Sequence, residues 1–123
     1  MKIFSREIQD WEQEQGYRRG ILMPYGTPPD EDVQVQVTEI QSGDRIGLHR
    51  HFKQTEYIYV LNGTFTVLFP GSEADLEPGD LIVISPGELH GARNSSRLTS
   101  RFLTLKLHGA PDDTDWSVGR AAS

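Results

Sequence analysis

The feature that most constrains this chain is the way short apolar runs are cut by turn residues. Val33, Val35 and Val37 alternate with Gln34, Gln36 and Thr38, which predicts a half-buried strand. Ser42-Gly43-Asp44 follows as a turn. Tyr57 to Leu61 is β-branched and aromatic, and Asn62-Gly63 predicts a tight hairpin into a return strand from Thr64 to Phe69. Pro70-Gly71-Ser72 and Pro78-Gly79-Asp80 are further turns. Leu81 to Ile84 is wholly apolar and is expected to be buried on both faces, and Leu103, Leu105 and Leu107 alternate in a last strand. Many short strands with Gly/Pro turns predict an all-β sandwich or barrel.

The ends read differently. Ser5 to Gln15 has the register of one short helix, with Ser5 as its N-cap and Gly16 at its end. Residues 24–32 form a Pro-, Gly- and Asp-rich loop. The expected organisation is an N-terminal helix, strand and loop over 1–32, a barrel over 33–109, and a polar, partly disordered tail over 110–123. A chain of 123 residues suits this single-domain plan. Its formal net charge of −6 argues against nucleic acid or an anionic membrane surface as partner. No stretch approaches the roughly 20 apolar residues of a membrane span. Charges break up MKIFSREIQDW before a signal-peptide core can form, so the expected location is the cytoplasm. The chain has no cysteine, which excludes thiolate ligands and a cysteine nucleophile.

Four residues carry the chemistry. His49 and His51 are two apart, so on a strand they share a face. Glu56 follows after room for a bend, and His90 follows the Ser85-Pro86-Gly87 turn. A rolled sheet can bring these together around one divalent ion. Three neutral imidazoles and a carboxylate suit Fe, Mn, Ni, Co, Cu or Zn, whereas calcium and magnesium prefer all-oxygen sites. Four protein ligands in an octahedral shell leave two positions open. A single histidine would signify little, but the spacing as a group is specific. Gly43 to Gly63 fits G(x5)HxH(x4)E(x6)G at every fixed position. With 4 histidines and 12 glycines in 123 residues, the pattern should arise by chance in roughly one such chain in ten thousand.

This pattern resembles the first motif of the cupin superfamily. The second, G(x5)PxG(x2)H(x3)N, matches at Gly79, Gly87, His90 and Asn94, with Ser85 in place of its proline. Fifteen residues, Thr64 to Pro78, separate the two, the short spacing of small single-domain cupins. The resemblance implies a double-stranded β-helix (the jelly-roll, or cupin, barrel) with His49, His51, Glu56 and His90 as metal ligands. It also implies a homodimer, for which Ile21, Leu22 and Met23 are interface candidates. Members of this kind include dioxygenases, isomerases and decarboxylases. The expected function is therefore a metal-dependent enzyme of dioxygenase, isomerase or lyase type, acting on a small oxygen-bearing molecule. The alternative is a non-catalytic cupin that binds a sugar or organic acid. Glu56 is the candidate proton acceptor, with Glu39 as an alternative, and Gln54 or Thr55 could orient Glu56. Arg45 shares strand parity with His49 and is the candidate anchor for an anionic substrate group. Phe52, Phe65, Phe69 and Phe102 are expected in the core or pocket wall, and His108 at the surface.

Overall fold

The structure, a computed structural model, describes residues 1–4 and 11–117. Its strands are β1 (Trp11–Gln13), β2 (Arg18–Met23), β3 (Gln34–Ile40), β4 (Arg45–His51), β5 (Thr55–Asn62), β6 (Phe65–Phe69), β7 (Ser72–Leu76), β8 (Leu81–Ile84), β9 (His90–Arg93), β10 (Ser100–Leu107) and β11 (Thr114–Asp115). They form two antiparallel sheets, ordered β1-β2-β3-β10-β5-β8 and β11-β4-β9-β6-β7. From β3 to β10 the chain changes sheet at every connection except β6 to β7. That alternation winds the two sheets into a double-stranded β-helix, the fold that the cupin resemblance implies.

The exception corrects one expectation. Asn62-Gly63 does not close a hairpin, because β5 pairs with β10 and β8 while β6 pairs with β7 and β9. It is a corner between sheets. Gly63 takes φ 72°, and a Cβ there would lie 2.7 Å from the Thr99 carbonyl oxygen. The tight hairpin is instead Pro70-Gly71, between the paired Phe69 and Ser72.

The expected helix at Ser5–Gln15 is also corrected where it can be seen. Trp11–Gln13 is a strand paired with β2, and the earlier part lies outside the described residues. Tertiary contacts outweigh the local helical register. The Arg18 guanidinium lies 4.1 Å from the Trp11 ring centroid, and Arg19 Nε donates to Glu12 at 2.9 Å. Gly16 makes the hairpin turn at φ 86°, where any Cβ would sit 1.8 Å from the Arg45 carbonyl oxygen.

The core lies between the sheets and includes Ile40, Ile58, Val60, Phe65, Ile84 and Phe102, with the Phe65 and Phe102 rings stacked at 4.6 Å. Phe52 is 58% exposed and belongs to neither core nor pocket. Strand β8 is not buried on both faces. It is the last strand of its sheet, with Ile84 inward and Leu81 and Val83 at 60% and 49% exposure. On β3 the inward face is the polar one. Gln34, Gln36 and Thr38 are buried and chained by side-chain hydrogen bonds of 3.1 and 3.0 Å, ending on Thr104. Val35 and Val37 turn to the outer face, in register with Leu105 and Leu103.

Candidate metal centre

The sheet crossings explain the spacing of the four predicted ligands. His49 and His51 are on β4, and Glu56 is on β5 in the facing sheet, reached through the bend at residues 52–54. His90 begins β9 and is the register partner of His49. The register of β4 against β9 shifts between Ile46 and His49, so both point inward despite their odd spacing. The same shift leaves Arg45 exposed. It pairs with Arg93 and lines the cavity.

The three imidazoles form a tight group, with their ligand atoms all within 4.8 Å of one another. Each Nδ1 faces a backbone carbonyl: His49 that of Gly47 at 2.8 Å, His90 that of Glu88 at 2.9 Å, and His51 that of Asp113 at 3.3 Å. Carbonyls only accept, so each ring hydrogen resides on Nδ1 and each ring, when neutral, presents its Nε2 lone pair inward. Glu56 is not part of that tight group but lies beside two of its members, with Oε1 3.0 Å from His51 Nε2 and Oε2 3.7 Å from His90 Nε2. Yet neither Nε2 has a well-aligned hydrogen-bond partner, and both are fully buried. Buried acceptors converging on a carboxylate with no donor among them are unfavourable unless a cation joins them. The residues therefore fit a divalent metal ion, and they would carry a net charge of about +1 with it.

The electrostatics agree. Burial, then the neighbouring His90, pulls the His49 pKa down to about 3, so that ring is neutral. Burial alone would raise Glu56, but the facing His51 and His90 rings outweigh it and hold the carboxyl well below its ordinary range. For His90 burial works downward, and Glu56 overrides it to raise the pKa.

A supporting shell comes from segments whose role the sequence pattern did not reveal. The described part of the stretch expected as a tail, residues 110–117, lies against the site. β11 pairs with β4, and Thr114 Oγ1 is 3.1 Å from His51 Nδ1. The Asp113 carboxylate accepts from the backbone N–H of Lys53 at 3.0 Å and of Gln54 at 2.9 Å, pinning the bend between His51 and Glu56. Trp116 stacks on His49 at 4.3 Å. Gln54 donates to Glu56 at 3.4 Å and accepts from the Tyr25 hydroxyl at 3.0 Å, which gives it the orienting position anticipated for it. Burial, then Glu56, pushes the Tyr25 phenol up to about 12, so it stays a donor.

Glu39 takes no part in the site. It is buried on the opposite face of β3, clamped by Arg18 at 2.5 Å and Arg101 at 2.6 Å. His108 is exposed and 3.1 Å from Asp32, as expected for a surface histidine. The cavity in front of the histidines measures roughly 980 Å³. Its far wall is the six-stranded sheet, contributing Arg19, Gln36, Thr104 and Lys106. Lys106 was legible only as the parity opposite to Leu103, Leu105 and Leu107.

Two facing antiparallel sheets wound by alternate crossings, with a histidine cluster between them, define a double-stranded β-helix. The chain belongs to the cupin family: the cupin domain matches residues 36–106, more than half of its length. Quercetin 2,3-dioxygenase of Bacillus subtilis (strain 168) is 37% identical over 62 residues, which cover 50% of this chain and 18% of that enzyme. The chain thus spans less than a fifth of that relative's length. Among solved structures, KdgF from Halomonas sp. is 27% identical, with TM-score 0.76 over 90% of this chain and 98% of its own. The polyketide cyclase RemF from Streptomyces resistomycificus is 26% identical, with TM-score 0.77 over 90% of this chain and 82% of its own.

Proposed function

We propose that this protein is a metal-dependent enzyme acting on a small oxygen-bearing organic molecule, by dioxygenase, isomerase or lyase chemistry, with His49, His51, His90 and Glu56 holding one divalent transition ion. The observation that carries this reading is the pair of buried, unpartnered Nε2 atoms of His51 and His90 converging on Glu56. When bound there, such an ion supplies Lewis-acid polarisation of a substrate oxygen and, as Fe or Mn, redox capacity. The protein supplies the rest. The cavity admits a small molecule, the core residues Phe65, Phe102 and Ile84 line its inner end, and Trp116 closes one side of His49. Glu56 is ionised and oriented by Gln54, so it can accept a proton from a substrate held in front of it. The similarity to a dioxygenase and a cyclase supports catalysis of this general kind.

The test is a metal-loaded protein assayed for oxygen uptake with catechols and diketones, and for turnover of uronates and sugar phosphates. Turnover in either panel, with loss of at least about a hundredfold in Glu56→Gln that still holds its metal, supports the reading. A Glu56→Gln variant with metal and full activity removes Glu56 as proton acceptor. Ligand-dependent thermal stabilisation without turnover would identify a binding cupin instead. We further propose a homodimer, supported by the apolar outer face where Tyr59, Leu61, Leu81 and Val83 are exposed on adjoining strands. Ile21, Leu22 and Met23 lie on β2, further across the same sheet.

A further inference from the structure

The wall opposite the histidines carries a cation, Lys106, that has no ion-pair partner within 4.0 Å among the described residues. Lys106 lies on β10, the register partner of Glu56 on one side and Gln34 on the other. It shares the inward face of β10 with Phe102 and Thr104 and lines the cavity. Cross-strand side chains on one face stand close, with Cβ atoms about 5 Å apart. Lys106 therefore projects beside the carboxylate that faces His51 and His90. Among the described residues, every ion pair within 4.0 Å involves other cations. The second cation of the wall, Arg19, is already engaged by Glu12 at 2.9 Å and Glu14 at 3.8 Å. The Tyr17 side chain lines the same cavity.

A partly buried ammonium without a partner is unfavourable until an anion joins it. Glu56 cannot serve fully, since both its oxygens are turned to the histidines. We propose that Lys106, with Arg19 and Tyr17 beside it, forms a carboxylate-binding subsite, so that the molecule accepted at the metal centre is an organic acid. Its carboxylate rests on the six-stranded sheet while its other oxygens face His49, His51 and His90. A monoanion balances the Lys106 ammonium. A phosphate would bring about two charges next to Glu56 and is the poorer match. The proposal rests on the metal reading above and names the substrate class for that site.

The experiment uses Co(II)-loaded protein and follows the visible Co(II) absorption during titration. 2-Oxoglutarate and 2-oxoadipate are compared with 2-oxopentanoate and 2-oxohexanoate, which present the same 2-oxo acid head without the terminal carboxylate. At least one of the two dicarboxylates is expected to bind about tenfold or more tightly than its partner. That advantage should vanish in Lys106→Met, with the monocarboxylates unchanged, and persist in Lys106→Arg. An unaltered Co(II) spectrum before titration shows that each variant is folded and loaded. Equal binding of both series by the parent protein overturns the proposal, as does an equal loss for both in Lys106→Met. If inorganic phosphate abolishes the advantage at equal concentration, the occupant is phosphate and the carboxylate assignment falls. Failure to take up Co(II) defeats the metal reading itself, and this proposal with it.

Discussion

Replacing Asp113 with alanine tests how the C-terminal segment holds the site. Its carboxylate is buried and receives the backbone N–H groups of Lys53 and Gln54 at 3.0 and 2.9 Å. Both donors belong to the bend that carries the chain from His51 in one sheet to Glu56 in the other. Alanine leaves two N–H groups without an acceptor in a water-poor place. Each such loss costs about 1–3 kcal/mol, so roughly 2–4 kcal/mol of stability should go after partial relaxation. The bend also fixes the distance between His51 and Glu56, and loss of such outer support lowers metal affinity by about tenfold to a hundredfold. Asp113→Asn keeps one acceptor oxygen where both N–H groups converge and should lose only about 1 kcal/mol. Urea unfolding of the metal-free proteins gives the first quantity, and competition against a chelating dye gives the second. An Asp113→Ala protein with unchanged midpoint and unchanged metal affinity would refute the claim that this segment braces the centre.

Three further outcomes follow. The His90 pKa in the metal-free protein is raised above 6.5 by Glu56, so metal uptake below that raised value displaces a proton, and affinity should fall about tenfold per pH unit there. The same shift stabilises the metal-free fold below pH 6.5, and that contribution is lost as pH rises through the raised pKa; unfolding midpoints across pH 5–9 check the sign. Trp116 stacks on His49, whereas Trp11 packs on Arg18, so Cu(II) or Co(II) should quench fluorescence in the parent protein and barely in Trp116→Phe.

The barrel and the four candidate ligands were legible in the sequence because both depend on local pattern. Turn residues mark where strands end, and HxH followed by a glutamate after one bend is what a crossing between facing sheets requires. What escaped depends on which face of a strand meets the cavity. The valines of β3 suggested an apolar interior, but this sheet turns Gln36 and Thr38 inward, where they line the cavity. Leu81 and Val83 suggested a central strand, but β8 is the last strand of its sheet. The role of Arg45 was framed on an unbroken β4, and a register shift that leaves no mark in composition set it on the exposed side. Asp113 and Trp116 reach the site only through long-range pairing of β11 with β4, so their neighbours in sequence carry no trace of it.

Whether His49, His51, His90 and Glu56 hold a metal ion is decided by metal content. The protein purified without chelator, or loaded with Fe, Mn, Co, Ni, Cu or Zn and desalted, is analysed by mass spectrometry of its metals. One tightly held transition ion per chain is expected, lost in His51→Ala and in His90→Ala while the fold persists. A folded parent protein that retains none of the six ions, or variants that bind as tightly as the parent, would contradict it.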